Sequence, residues 1–89
     1  MSMHIVFTPE FRKAYKQLPH HLQKIVDEKI HQLRSNPAHP SLKVHRHLKG
    51  KADHLWICRI STTKRLLYTL EKGTIYLQNV GNHSIIERV

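Results

Sequence analysis

Between Leu55 and His83 the chain reads LWICRISTTKRLLYTLEKGTIYLQNVGNH, and this stretch limits the possible folds more than any other. Three runs rich in Trp, Ile, Leu, Tyr and Val are separated by Ser61-Thr62-Thr63-Lys64 and by Glu71-Lys72-Gly73, the pattern of a three-stranded antiparallel meander. Cations sit among these runs. Arg59 lies within the first, Arg65 opens the second, and His83 follows the Gly81-Asn82 break after the third. Buried strands avoid charge unless it has a partner, so cations gathered by one sheet point to an anionic ligand. Alternation places Trp56, Cys58 and Ile60 on one face and Leu55, Ile57 and Arg59 on the other, while Leu66, Tyr68 and Leu70 alternate with Arg65, Leu67 and Thr69. Both faces are partly apolar. The expectation is a sheet covered by helices on one side and carrying a half-polar groove on the other, with Gly81 as a bulge that re-aims His83.

The chain before the meander supplies the cover. His4 to Phe7 is a short apolar run, and Thr8-Pro9-Glu10 hands it over to a helix: Thr8 can cap, Pro9 suits the first helical position and Glu10 complements the dipole. Phe11, Ala14, Tyr15 and Leu18 then share one helical face until Pro19. A second helix is predicted from Pro19 to Arg34, with Leu22, Ile25, Val26, Ile30 and Leu33 on one stripe and Ser35-Asn36-Pro37 as its stop. The pattern weakens from Ala38 to His54, where Lys43, Arg46, Lys49 and Lys51 stand with four histidines against the single Asp53. This segment reads as a basic loop with an extended piece at Leu42 to Val44. The fold class is therefore α+β: an N-terminal helical hairpin packed on a small, mainly antiparallel four-stranded sheet, with the first strand at an edge.

Residues 1–89 are read as a single domain with one modest core, since a chain of this size buries roughly 60 to 65 percent of its extended surface. Fifteen Lys and Arg against six Asp and Glu leave a formal charge of +9. Nucleic acid is the commonest partner of such an excess, an acidic protein the next and an anionic membrane surface a weaker third. Cys58 is the only cysteine, so an internal disulfide and a CxxC metal site are ruled out. His45 and His47, without a nearby carboxylate or cysteine, make an incomplete metal site. No cofactor or metal is expected. The absence of a signal-like N-terminus or a long apolar run makes a cytoplasmic protein the expectation.

The order of strand, helical hairpin, basic loop and meander, with LKG before WICRIS, then KRLLY, then VGNHS, resembles the RelE/ParE superfamily of bacterial toxins over the whole chain. The resemblance implies the toxin of a type II toxin–antitoxin system. On the RelE side that means an mRNA interferase, an endoribonuclease that cuts messenger RNA in the ribosomal A site against ribosomal RNA and is restrained by an acidic antitoxin. On the ParE side it means a DNA gyrase inhibitor without nuclease activity. A nucleic-acid-binding domain with no toxicity is the third reading. By resemblance, Arg59 stands where RelE-like nucleases keep a phosphate-contacting arginine, Arg65 matches the arginine opening the next strand, and His83 matches the histidine after the last-strand glycine. Lys43, Arg46, His47, Lys49 and Lys51 fall in the loop that supplies further basic groups. Many relatives carry an aromatic residue about four positions after the histidine, where this chain has Glu87.

RNA cleavage without a metal needs a deprotonated 2'-hydroxyl, a neutralised phosphate and a protonated leaving oxygen. Histidine suits proton transfer near neutral pH, and arginine supplies fixed charge and bidentate contacts. The candidate catalytic set is thus His83, Arg59, Arg65, His47 and Glu87, with Lys43, Arg46, Lys49 and Lys51 binding RNA. Each has a plainer reading. His83 can be one of nine surface histidines, Arg59 a salt-bridge partner of Asp53, Glu71 or Glu87, Arg65 a solvated edge residue, and Glu87 a surface carboxylate. Trp56 and Tyr68 can stack on bases or fill the core.

Overall fold

The computed structural model describes residues 3–36, 39, 42, 44–46 and 55–88. Strand β1 (His4–Phe7) leads into helix α1 (Pro9–Lys16), then α2 (His20–Ser35), the two-residue β2 (His45–Arg46), β3 (Leu55–Arg59), β4 (Lys64–Glu71), β5 (Thr74–Asn82) and a terminal 3-10 helix (His83–Arg88). The strand order is β1-β5-β4-β3-β2. β3, β4 and β5 form the expected antiparallel meander, and β1 joins β5 in parallel at one edge. The expected four strands are joined by β2 as a short fifth on the outer side of β3, two residues later than the extended piece read at Leu42 to Val44.

Local chemistry fixes the entry to the hairpin. Thr8 caps α1 by accepting from the Phe11 N–H at 3.2 Å while its hydroxyl donates to the Leu77 carbonyl at 2.6 Å, so one side chain starts the helix and ties it to β5. Helix α1 ends at Lys16, short of Pro19, and Leu18 is held in the link by its N–H to the Tyr15 carbonyl at 3.1 Å. Gln23 Nε2 reaches the same carbonyl at 2.9 Å and so ties α2 to the end of α1.

The core has two parts, one on each face of the sheet. On the helical face Phe11, Val26, Leu33, Cys58, Leu66 and Leu77 are buried together, and Leu42 joins them at 0% exposure rather than lying in an extended strand. Tyr68 is 3% exposed in this cluster, which settles its two readings in favour of the core. On the opposite face Leu55, Ile57 and Leu67 are buried under Ile85 and Ile86 of the terminal 3-10 helix. That helix was not expected, and it closes the middle of the face read as an open groove.

The bulge lies elsewhere than expected. Leu67 pairs with Asn79 and Tyr68 with Leu77, which makes Gln78 the extra residue, whereas Gly81 continues in register opposite Arg65. Gly81 packs closely: a Cβ there would stand 3.2 Å from Ile85 Cγ2, tighter than ordinary contact, so that side chain would have to give by a few tenths of an ångström. Between β4 and β5, Lys72 (φ 46) and Gly73 (φ 80) both take left-handed backbone, as a tight two-residue hairpin requires.

Candidate active site

Three strand ends meet at one edge of the meander. Arg59, the last residue of β3, is paired directly with Arg65 of β4, which is paired in turn with Gly81 of β5. Neighbouring strands lie about 4.8 Å apart, so the two arginines stand side by side on the face that carries Leu55, Ile57 and Leu67. One step further along, Lys64 faces Asn82, and its Nζ donates to the Asn82 Oδ1. One step beyond that, the His83 N–H donates to the Thr63 carbonyl at 3.0 Å. Arg59, Lys64, Arg65 and His83 are therefore gathered at one end of the sheet, where the Ser61–Thr63 turn meets the start of the terminal helix.

Arg59 and His83 are exposed and Arg65 is half-buried. Like charges set directly opposite each other repel, and among the described residues neither arginine has a carboxylate partner. The suggested bridge from Arg59 to Glu71 is excluded by the register, since Glu71 closes β4 six positions from Arg65, about 20 Å away. Arg65 is instead turned into the adjoining loop, where Nη1 donates to the carbonyls of Ser61, Lys64 and Thr62 at 2.7, 3.0 and 3.3 Å. The arrangement offers one guanidinium without a partner among the described residues, one tethered guanidinium, an ammonium and an imidazole to an anion.

The other candidates are placed less fully. Lys43, His47, Lys49 and Lys51 lie outside the described residues, as does Asp53. Arg46 lies on β2, its backbone paired with Trp56, and Glu87 lies on the terminal helix; their side chains lie outside the described part. Among the described residues no cluster of three His, Cys, Asp or Glu could hold a metal ion. No described helix is long and apolar enough to cross a membrane.

A second surface lies at the far edge of the sheet. Phe7, Phe11, Tyr15 and Ile30 line a cleft of about 440 Å³ with Arg12, Lys16 and Asp27 at its rim. A neighbouring cleft of about 340 Å³ shares Phe7, Asp27 and Ile30 and adds His4, His31 and Arg34. Phe7 is 41% exposed there, and Tyr15 donates to Asp27 Oδ1 at 2.7 Å, which holds the phenol above its usual pKa. The His4 N–H bonds to the carbonyl of Gly73, just before β5, and the Thr8 N–H to that of Leu77 in β5, so alternation turns the backbone groups of Ile5 and Phe7 away from β5. The helices hid this surface from sequence reasoning, because each stripe looked fully committed to the sheet.

Comparison of this architecture with solved structures is decisive for the fold. The YoeB dimer of Staphylococcus aureus superposes with a TM-score of 0.77 at 23% identity over 93% of this chain and 99% of that one. The toxin–antitoxin complex RelBE2 of Mycobacterium tuberculosis gives 0.76 at 20% identity over 93% and 100%. The fold is that of the RelE/ParE superfamily toxins. The DinJ–YafQ toxin–antitoxin complex of E. coli matches the same RelE/ParE fold with a TM-score of 0.78 at 15% identity over 96% and 97%. No family sequence model and no curated protein matches the chain. The likeness is thus one of RelE/ParE architecture, and the chemistry has to be argued from this chain's own residues.

Proposed function

We propose that this chain is the toxin of a type II toxin–antitoxin pair and cuts messenger RNA in the ribosomal A site by acid–base chemistry that needs no metal. The observation that supports it is the meeting of Arg59, Arg65 and His83 at one sheet end without a carboxylate partner among the described residues. Arg59 would hold the scissile phosphate and offset the charge that grows as the 2'-oxygen attacks phosphorus. His83 would carry the proton taken from the 2'-hydroxyl or given to the departing 5'-oxygen. Lys64, Arg46 and the loop cations Lys43, Lys49 and Lys51 would hold the RNA backbone, with His47 and Glu87 as further proton-transfer candidates. Such a chain works in the cytoplasm, where the ribosomes are.

An acidic antitoxin is the partner we assign to the second surface. Adjoining apolar clefts lined by Arg12 and Lys16 and by Arg34, beside an edge strand whose outer backbone groups have no strand partner among the described residues, suit an acidic amphipathic segment added alongside β1. The deciding experiment is to express the chain and map message ends with and without active ribosomes. Cuts within translated codons, lost when ribosomes are stalled before elongation, are the expected result. Intact messages with a supercoiling defect would move the function to gyrase inhibition.

A further inference from the structure

Four backbone carbonyls run from Ser61 to Lys64 around the β3–β4 turn. Three of them, Ser61, Thr62 and Lys64, accept from the single nitrogen Nη1 of Arg65. The fourth, Thr63, accepts from the His83 backbone N–H at 3.0 Å. This division connects two residues that do not touch. The turn contains neither glycine nor proline, so its shape is not set by backbone preference. The Lys64 carbonyl closes it by accepting from the Ile60 and Ser61 N–H groups at 3.0 and 3.2 Å, and the Ser61 hydroxyl accepts from the Lys64 N–H at 3.1 Å. The guanidinium adds a charged donor, whose hydrogen bonds are about twice as strong as neutral ones, and it is what holds the Ser61 and Thr62 carbonyls.

We infer that Arg65 is a positioning residue for His83: its guanidinium gathers three carbonyls of the turn and thereby presents the Thr63 carbonyl that fixes the backbone of the histidine. Arg59, with no such tether among the described residues, is left as the arginine available to an anion. Replacing Arg65 leaves the Ser61 and Thr62 carbonyls without the guanidinium while the Lys64 carbonyl keeps its backbone donors, so the middle of the turn relaxes and the Thr63 carbonyl moves with it. His83 then keeps its side chain and loses its placement.

The experiment reads backbone amide exchange by NMR in wild type, R65A and R65K, taking the ratio of the His83 rate to that of Ile75, a buried core strand residue. Loss of the anchoring bond is expected to raise the ratio about tenfold in R65A, with R65K between, because an ammonium supplies donors without the planar fork. Turnover on programmed ribosomes falls in the same order while RNA affinity stays within about twofold. The expected loss of turnover rests on the RNA-cleaving reading of His83; the exchange ratio does not. A ratio unchanged in both variants overturns the assignment. So does RNA affinity that falls in step with turnover in R65A and returns fully in R65K, the behaviour of a simple phosphate ligand. If R65A fails to fold, R65Q is read by the same ratio. A wild-type chain that cuts no RNA would remove the nuclease reading and leave the ratio to decide the role of Arg65.

Discussion

Arg59 and His83 are both exposed, so removing either costs the fold little while stripping a charge or the proposed proton carrier from the site. His83→Ala is expected to lower cleavage by about 10² to 10⁴-fold, the usual worth of a positioned acid or base. Arg59→Ala is expected to weaken RNA affinity and turnover together, with Arg59→Lys recovering only part because the bidentate contact is lost. Both are checked by single-turnover cleavage beside thermal melts, and melts displaced by more than a few degrees would contradict the placement. Cys58 behaves oppositely, since it is closed off from solvent and its Sγ donates to the Leu42 carbonyl at 3.5 Å. Burial pushes its thiol up to about 11, with Lys29 pulling weakly the other way, against an ordinary value of about 8.5 to 9. A raised value means that the folded chain holds the proton longer. That contribution is complete below about pH 9 and lost as pH rises towards about 11, amounting to about 3 kcal/mol. Urea midpoints should therefore fall through that window, with Cys58→Ala showing a shallower fall, and the native thiol should resist alkylation at pH 8.

The first strand and the two helices do separate work, and this can be tested element by element. Replacing Phe7 by Asp or Arg12 by Glu should weaken neutralisation by a co-expressed acidic antitoxin while leaving cleavage intact, because the cleft and the β3–β4 turn belong to opposite parts of the sheet. Growth rescue and RNA-end mapping on the same variants check the two halves. Elements governed by local chemistry were legible in the sequence: the Thr8-Pro9 handover, the body of α2 within one residue at each end, and the three strands of the meander. Elements set by distant contacts were not. The terminal 3-10 helix offers only the pair Ile85-Ile86 as a signal, too short for any periodicity, and its role shows only where Leu55, Ile57 and Leu67 need cover. Gly81 looked like a bulge because glycine often marks one, yet it stays in register and packs closely under Ile85, and the bulge falls at Gln78. For the site, sequence order placed Arg59 and Arg65 on the right strands and His83 just past the third. It could not show that Arg65 turns into the loop, since that depends on carbonyl directions in the Ser61–Thr63 turn.

At the scale of the whole molecule, a formal charge of +9 is held within 31 × 29 × 25 Å. At physiological salt the screening length is about 8 Å, so these charges act over one or two strands rather than across the body. Binding to RNA should then be governed by released counterions. Raising KCl from about 50 to about 200 mM should lower affinity for a single-stranded RNA by roughly 10² to 10⁴-fold, as anisotropy titrations would measure, and a slope near zero would contradict a phosphate-led interface. The sheet adds a constraint of timing. β1 is the first strand of the chain and its only strand partner is β5, with His4 set against Thr74 and Thr8 bonded to Leu77. An edge that joins the beginning of the chain to its last strand cannot form until that last strand has been synthesised, and pairings of such sequence separation are slow to close. Since His83 follows β5 directly, the site cannot be assembled before β5 has been made. Until then Arg59 and Arg65 can already be paired across β3 and β4, and the histidine that completes the proposed site is still missing.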